Sequence, residues 1–382
     1  MRQRFARYRM LGLVALMAAL ALLTAACEGE VGEGAEEELD DDTDEVAAED
    51  DADTADGEED ADDDAGDEAD EDADDEPDGD ITVCMLPKLV GIPYFNASEE
   101  GAQEAADELG VTLEFDGPTE DSTADQVELI EQWTGSGDCD AITVSANDPD
   151  ALAPAMEAAQ EEGIATGSWD ADVVEEAREF FVNQVDPEAL GAQLVDTMAE
   201  QTGGAGEFLI VTGSLTAPNQ NEWMEAMSTH MEEEYPDMTV ASVQPGEEDL
   251  ELGVEVTESY LQANPDTAGV FGITSVALPG AADAVDQLGL SGEVAVTGLG
   301  VPSEVSPYVE TGTVEEWVLW DPVDLGYLAV QVAVAQVTGD MPDEGTFDAA
   351  RIGEVDIVEE TGEVLLGPPT VFDESNMGDY DF

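Results

Sequence analysis

From Ile81 onward the chain alternates short apolar runs with amphipathic stretches at intervals of roughly 25–35 residues, the signature of βα units and a parallel sheet. ITVCMLP is the first predicted strand, and NASEEGAQEAADELG is a helix with an alanine stripe that stops at Gly110. VTLEFDGP is the second strand; STADQVELIEQW follows as a helix, opened by a cap-like Ser122 and presenting Val127, Ile130 and Trp133 on one face. AITVSANDPDAL runs from strand through turn into helix, with Asp148 and Asp150 placed to cap it. GIATGSWDADV gives a fourth strand ending at Trp169 and Asp170, and REFFVNQ closes a first half.

After Pro187 the pattern starts again. GEFLIVTG, MTVASVQ, AGVFGITS, GEVAVTGLG and TVEEWVLWD read as five further strands, with helices around Asn221 to Glu234, Leu250 to Gln262, Ala281 to Leu288 and Ser303 to Val309. Two successive five-stranded halves predict an α/β fold of two similar doubly wound parallel-sheet lobes, joined by a hinge and facing each other across a cleft. The predicted first lobe is 81–185 with about 322–345, since a helix from Leu325 to Val337 is expected to return to it. The predicted second lobe is 186–321, and the tail, about 346–382, is expected to lie with it as strands near the hinge.

The start of the chain follows other rules. Residues 1–26 hold Arg2, Arg4, Arg7 and Arg9, an apolar run from Met10 to Leu23, and small residues before Cys27, which reads as a secretory signal peptide. An uncleaved anchor helix is the competing reading of the same run. Residues 28–80 are almost wholly Asp, Glu, Ala and Gly; they bury too little apolar surface to offset chain entropy, so 27–80 is read as a disordered acidic tether. The tether has no loop of spaced carboxylates with a turn glycine, as calcium coordination would require.

Charge narrows the function. The 382 residues include 96 acidic and 7 basic side chains and 1 histidine, for a formal charge of −89. Nucleic acid and anionic membrane surfaces need a positive footprint, so both are excluded as partners through charge. Acid spread through a folded region of about 300 residues, large enough for two cores, suggests a surface suited to high salt, where screening removes much of the self-repulsion.

Past Arg9 the basic side chains are Lys88, Arg178 and Arg351, and Lys88 is the only lysine in the chain. It lies at the carboxyl end of the first predicted strand, in LPKLVGIPYF, just ahead of the aromatic pair Tyr94 and Phe95. Ligands of open α/β sheets bind outside the carboxyl ends of strands, which makes these three residues candidates for a binding site. Two cysteines, Cys84 and Cys139, stand near the starts of the first and third strands. Those strands are neighbours in a doubly wound half and the export signal implies an oxidising compartment, so a disulfide between them is expected; buried thiols are the alternative.

The strings PKLVG, GAQEAADELGV, DGPTE, SANDPDALAPA, SWDAD, NQNEW, VTGLGVPSE, GTVEEWVLWDPVDLGY and GDYDF carry a resemblance to the type I periplasmic solute-binding proteins of ABC sugar importers. Within them, the chain is most similar to the autoinducer-2-binding and rhamnose-binding group, over about 81–382. LLTAAC likewise resembles the lipobox of secreted lipoproteins, with Cys27 as the lipidated residue, although Thr24 departs from the usual pattern. The family resemblance implies a ligand site with Lys88 and Asp170 gripping a furanosyl or sugar ligand. Asn219 and Gln220 would close from the second lobe, although the family's carboxylate is an amide at Asn219. Ile273 and Ser275 fall where autoinducer-2 proteins have proline and alanine, and Ser275 adds a hydroxyl. Tyr94 and Phe95 match aromatic positions of sugar-binding relatives.

Each candidate has a plainer reading beside this one. Lys88 could serve only to offset nearby acid, Asp170 to cap a turn, Tyr94 and Phe95 to fill the core, and Asn219 to cap a helix. Trp317 and Trp320 bracket a strand end near the hinge and are read chiefly as core. His230, set among polar residues, is read as solvated and without a catalytic partner. No Gly-rich phosphate loop, histidine-bearing metal cluster or nucleophile with a base at readable spacing appears, so no enzyme, metal or cofactor is expected. The implied partners are a small sugar or furanosyl ligand, an ABC permease with its ATPase, and the membrane through the lipid on Cys27. The protein is expected as a monomer anchored on the outer face of the cell membrane, and a receptor that presents its closed form to a membrane signalling protein is the alternative. With so few cations to offset its acid, the folded region is expected to lose its thermal transition as salt is withdrawn, which circular dichroism melts across a potassium chloride series would detect; a midpoint indifferent to salt would contradict it.

Overall fold

The computed structural model describes residues 81–342, 344–358 and 361–382. The signal peptide of 1–26, the lipid site at Cys27 and the tether of 27–80 lie outside the described residues.

The first lobe is laid down as β1 (Thr82–Leu86), α1 (Pro93–Leu109), β2 (Thr112–Phe115), α2 (Thr123–Ser136), β3 (Ala141–Val144), α3 (Pro149–Glu161), β4 (Ala165–Trp169) and β5 (Phe180–Asn183). The chain then builds the second: α4 (Pro187–Thr202), β6 (Ala205–Thr212), α5 (Pro218–Glu234), β7 (Asp237–Pro245), α6 (Leu250–Ala263), β8 (Gly269–Gly272), α7 (Ala277–Gln287), β9 (Ala295–Gly298), α8 (Pro302–Thr311) and β10 (Trp317–Leu319). It ends with α9 (Pro322–Thr338), β11 (Gly345–Asp348), β12 (Glu354–Val358), β13 (Glu363–Leu365) and β14 (Thr370–Phe372).

Local chemistry sets these boundaries. Six helices, α1, α3, α4, α5, α8 and α9, begin at a proline, whose missing N–H costs nothing there. Ser122, Asp148, Asp186, Asp249 and Asp321 accept from the first-turn backbone as caps. None of the described helices has a basic residue in its last turn, so glycines such as Gly110 and Gly137, in the left-handed region, close the helix ends that lysine would otherwise serve.

The two sheets repeat one strand order. In the first lobe it is β2-β1-β3-β4-β5, all parallel; in the second it is β7-β6-β8-β9, also parallel, with β10 joined to β9 through the single bridge Leu299–Val318. Helices cover both faces, so β1, β3, β5 and β8 are almost wholly buried runs without polar alternation.

The tail departs from the sequence reading. β13 pairs parallel with β5, and β12 and β11 follow antiparallel, extending the first-lobe sheet to eight strands. The stretch Gly345–Leu365 therefore belongs with the first lobe, not with the second. Only the segment after it returns: β14 pairs antiparallel with β10, and Phe372 stacks on Trp317 with centroids 5.5 Å apart. The reason is pattern. Val355, Ile357 and Val364 are inward residues that need an apolar neighbour, and the open edge of β5 supplies both that and unpaired backbone groups.

α9 packs on α1 across the first-lobe sheet at backbone contact. A Cβ at Gly101 would stand 1.7 Å from the Val323 carbonyl oxygen, and one at Gly326 would stand 1.8 Å from that of Ser98. Cys84 on β1 and Cys139, just before β3, are joined in a disulfide with Cα atoms 5.8 Å apart. Both are buried. The bridge closes a 55-residue separation, for which loss of unfolded-chain entropy gives about 4 kcal/mol of stability. Reduction with dithiothreitol, or Cys139→Ser, is expected to lower the thermal midpoint by several degrees while retaining the far-ultraviolet spectrum; an unchanged midpoint after verified thiol release would contradict the bridge's contribution.

Candidate ligand-binding site

The carboxyl ends of both sheets face one cleft. Lys88 follows β1, Tyr94 and Phe95 open α1, Ser145 and Asn147 follow β3, and Asp170 follows β4. From the second lobe come Asn219 and Gln220 in the first turn of α5, Glu248 after β7, and Ile273, Thr274 and Ser275 after β8, while Trp320 enters from the end of β10. The structure thus brings all eight candidate ligand residues, Lys88, Tyr94, Phe95, Asp170, Asn219, Gln220, Ile273 and Ser275, to the lining of one cavity of about 40 Å³.

At its centre is an ion pair. Lys88 and Asp170 are 5% and 3% exposed, and Lys88 Nζ stands 3.3 Å from Asp170 Oδ2. Two buried charges this close offset each other's desolvation, and they hold only because further bonds satisfy the remaining atoms. Tyr94 OH donates to Asp170 Oδ1 at 2.9 Å and Ser145 Oγ donates to Oδ2 at 2.7 Å. The lobes meet here directly. Lys88 Nζ donates to Asn219 Oδ1 at 3.2 Å, Asn219 Nδ2 donates to the Asp170 carbonyl at 3.2 Å, and Thr216 Oγ1 donates to the Asn147 carbonyl at 3.1 Å.

Asp170 sits at φ 61°, in a region that a residue other than glycine adopts at a cost, commonly at functional sites. Gln126, buried in α2, braces the first-lobe loops by donating to the Pro87 and Ser145 carbonyls and accepting from the Asn147 N–H. Burial, with the adjacent Asp170 carboxylate, pushes the Tyr94 phenol well above its ordinary range, so it stays a donor. Trp320 Nε1 donates to the Tyr94 hydroxyl at 2.9 Å, and the rings of Tyr94, Trp320 and Trp223 run in sequence, 6.1 and 5.8 Å apart. Trp320 is therefore both packed and part of the cavity wall, where the sequence reading favoured packing alone.

Second-lobe amides are more committed than expected. Gln220 Oε1 accepts from the Thr212 hydroxyl and the Gly213 N–H, and Asn219 Oδ1 accepts from the Gln220 N–H as well as from Lys88. The sequence reading missed Glu248, Trp223 and Thr274. Trp223 lies one turn beyond Asn219 on the same face of α5, and Glu248 sits at the carboxyl end of β7, so both positions were open to the rules that found Lys88. Glu248 is half-buried and accepts from Thr274 Oγ1 at 2.9 Å; burial pushes its carboxyl up and Lys88 draws it partly back. His230 also differs from expectation: it is three-quarters buried between α5 and α4, bonded to Asp196 at 2.9 Å with its ring 5.9 Å from Tyr235. Among the described residues no cluster could hold a metal ion, and no helix is long and apolar enough to cross a membrane.

Twin lobes with a buried polar cleft at facing strand ends agree with the family comparison, in which the periplasmic binding protein domain matches residues 83–341. The chain belongs to the periplasmic binding protein family. This periplasmic binding protein is therefore a binding protein and not an enzyme. LsrB from Clostridium saccharobutylicum, solved in complex with AI-2, superposes with a TM-score of 0.76 at 27% identity, over 79% of this chain and 100% of that one. An ABC transporter solute-binding protein from Clostridium phytofermentas with bound L-rhamnose gives a TM-score of 0.75 at 29% identity, over 79% of this chain and 98% of that one. The D-ribose/D-allose-binding protein of Pseudomonas aeruginosa is 26% identical over 68% of this chain and 83% of its own length.

Several partly buried carboxyls are raised above the ordinary 3.8 of Asp or 4.5 of Glu, each chiefly by burial: Asp121 and Glu248 at the cleft, and Asp172 and Glu363 near the end of β5. A carboxyl whose folded value exceeds its unfolded one favours the fold below the unfolded value, and that contribution is lost as pH rises through the folded value. At constant salt, the thermal midpoint is therefore expected to be higher at about pH 5 than at about pH 7. Calorimetry would read this directly, and a midpoint falling on acidification across that range would overturn it.

Proposed function

We propose that the protein is the solute-binding component of an ABC importer, taking a small sugar or sugar-like ligand into the cleft and delivering it to a membrane permease. The observation that carries this reading is the convergence of Lys88 and Asp170 from one lobe with Asn219 from the other. A polyol presents hydroxyls that both donate and accept, along with apolar C–H faces; a paired ammonium and carboxylate answer the first and the Tyr94, Trp223 and Trp320 rings the second. The ligand class we favour is a rhamnose-type sugar or autoinducer-2, in keeping with what the two Clostridium proteins hold.

The mechanism is hinge closure. A cavity of about 40 Å³ admits no sugar ring, so the lobes part to let the ligand in, and bonds such as Lys88 to Asn219 are exchanged for bonds to its hydroxyls. Ligand favours the closed form by its difference in affinity for the two forms, and the permease reads closure. Export by the leader of 1–26, attachment through Cys27, monomeric state and a requirement for high salt complete the proposal.

A thermal-shift panel in concentrated salt with L-rhamnose, other deoxyhexoses, pentoses and autoinducer-2 tests it; absence of any shift would reject the reading. In calorimetry against the sugar that gives the largest shift, Lys88→Ala is expected to abolish measurable binding. Asp170→Asn, which keeps the shape but loses a charge-assisted bond worth ~1.5–3 kcal/mol, is expected to weaken binding roughly tenfold to a hundredfold. Unchanged affinity in either variant would remove that residue from the site.

A further inference from the structure

The cleft brings together one basic side chain, Lys88, and two acidic ones, Asp170 and Glu248, and the first two pair with each other. Lys88 pairs with Asp170 of its own lobe at 3.3 Å, so its positive charge is already balanced even when the bond to Asn219 is given up to a ligand. Among the described residues no cation stands within ion-pair distance of Glu248, and Lys88 acts on it only from farther off. Its Oε2 accepts from Thr274 Oγ1 at 2.9 Å, and Gln220 Nε2 stands 3.5 Å from Oε1. The carboxylate is seated against Gly213, where a Cβ would lie 2.0 Å from Oε1, so the missing side chain is what allows Glu248 to reach the cavity.

A second observation points the same way. Glu248 also lines an adjoining opening between the lobes, bordered by Glu120 and Asp121 on one side and Glu247, Glu251 and Glu255 on the other. The potential there is negative from both sides, and low-dielectric walls focus it.

Building on the sugar-binding reading above, we propose that Glu248 is a ligand-contacting, specificity-determining residue. It accepts hydrogen bonds from the end of the ligand that faces the second lobe, and restricts the site to neutral or amine-bearing sugars while rejecting sugar acids. A hydroxyl or ammonium group meets an acceptor with spare lone pairs; a uronate or aldonate carboxylate meets a like charge with no cation left to balance it. Gln220 cannot fill that role, because its oxygen already accepts from Thr212 and Gly213 of its own lobe, and Asn219 carries no charge.

The experiment is isothermal calorimetry of the purified protein and of Glu248→Gln in concentrated salt. The probes are the neutral sugars L-rhamnose, D-ribose and D-galactose, the amine D-galactosamine, and the acids L-rhamnonate, D-ribonate and D-galacturonate. The expected result is binding of at least one neutral or amino sugar, no binding of its acid counterpart, and a loss of at least tenfold in the variant. The ligand-free thermal midpoint of the variant should be equal or higher, since an unpaired, half-buried charge has been removed. A parent protein that prefers an acid, or a variant with undiminished affinity, would overturn the role of Glu248 and leave the sugar-binding reading standing. A weakened variant whose ligand-free midpoint also drops would assign Glu248 a structural role and overturn the proposal too. Failure of the parent to bind any of the seven would overturn the role of Glu248 in choosing among sugars, and the binding reading itself would fall with it only if autoinducer-2 also gave no thermal shift.

Discussion

A single ammonium group, enclosed with a carboxylate between two lobes, is the constraint to which the rest of the structure answers. Removing such a pair from water costs several kcal/mol per ion, and the surroundings are arranged to return it. Tyr94 and Ser145 satisfy the carboxylate, Asn219 satisfies the ammonium from across the cleft, and Trp320 fixes the tyrosine that fixes Asp170. The raised phenol of Tyr94, the left-handed backbone of Asp170 and the Gln126 brace under the first-lobe loops all follow from keeping two opposite charges together where water is scarce.

The fold was largely legible because parallel βα units write it plainly: buried strands as apolar runs, helices opened by proline or aspartate and closed by glycine. Lys88, Tyr94 and Phe95 could be named because, in such a fold, chemistry collects at the carboxyl ends of strands; Asp170, Asn219, Gln220, Ile273 and Ser275 were legible through the family resemblance. Less of the bonding was legible. Nothing in the string NQNEW tells that Gln220 turns its oxygen back to Gly213 and Thr212, because that depends on how β6 meets α5. Glu248 stands in a run of acidic residues, GEED, where composition hides the one that points inward. Within the tail, Gly345–Leu365 was misassigned because an alternating strand pattern says which face is buried but not against which sheet, and the free edge of β5 decided it; Thr370–Phe372 does pair with β10.

Scarcity of cations shapes more than the cleft. Each of the three basic side chains past Arg9 sits at a junction. Lys88 joins the lobes at the ligand cavity; Arg178 holds Asp172 at 2.7 Å and donates to the Thr361 carbonyl at 2.9 Å, tying the end of β4 to the turn before β13. Arg351 lies over the Tyr327 ring, 4.3 Å from its centroid, and bonds Asp324 at 2.6 Å and Glu104 at 3.4 Å, clasping α9 to α1. In a chain with 96 acidic residues, positive charge is kept where one group can restrain two or three elements.

The route of the chain has a consequence for how the molecule is made. The first-lobe sheet begins with β1, yet its covering helix α9 and its outer strands β11 to β13 come only after the second-lobe elements α4 to β10. During synthesis, the second lobe thus has its parallel sheet and helices first, lacking only β14, while the first lobe waits with the α1 surface around Gly101 uncovered until more than two hundred further residues have emerged. The cross-link between Cys84 and Cys139 needs none of that late material, and so can restrain the waiting half before its remaining pieces arrive.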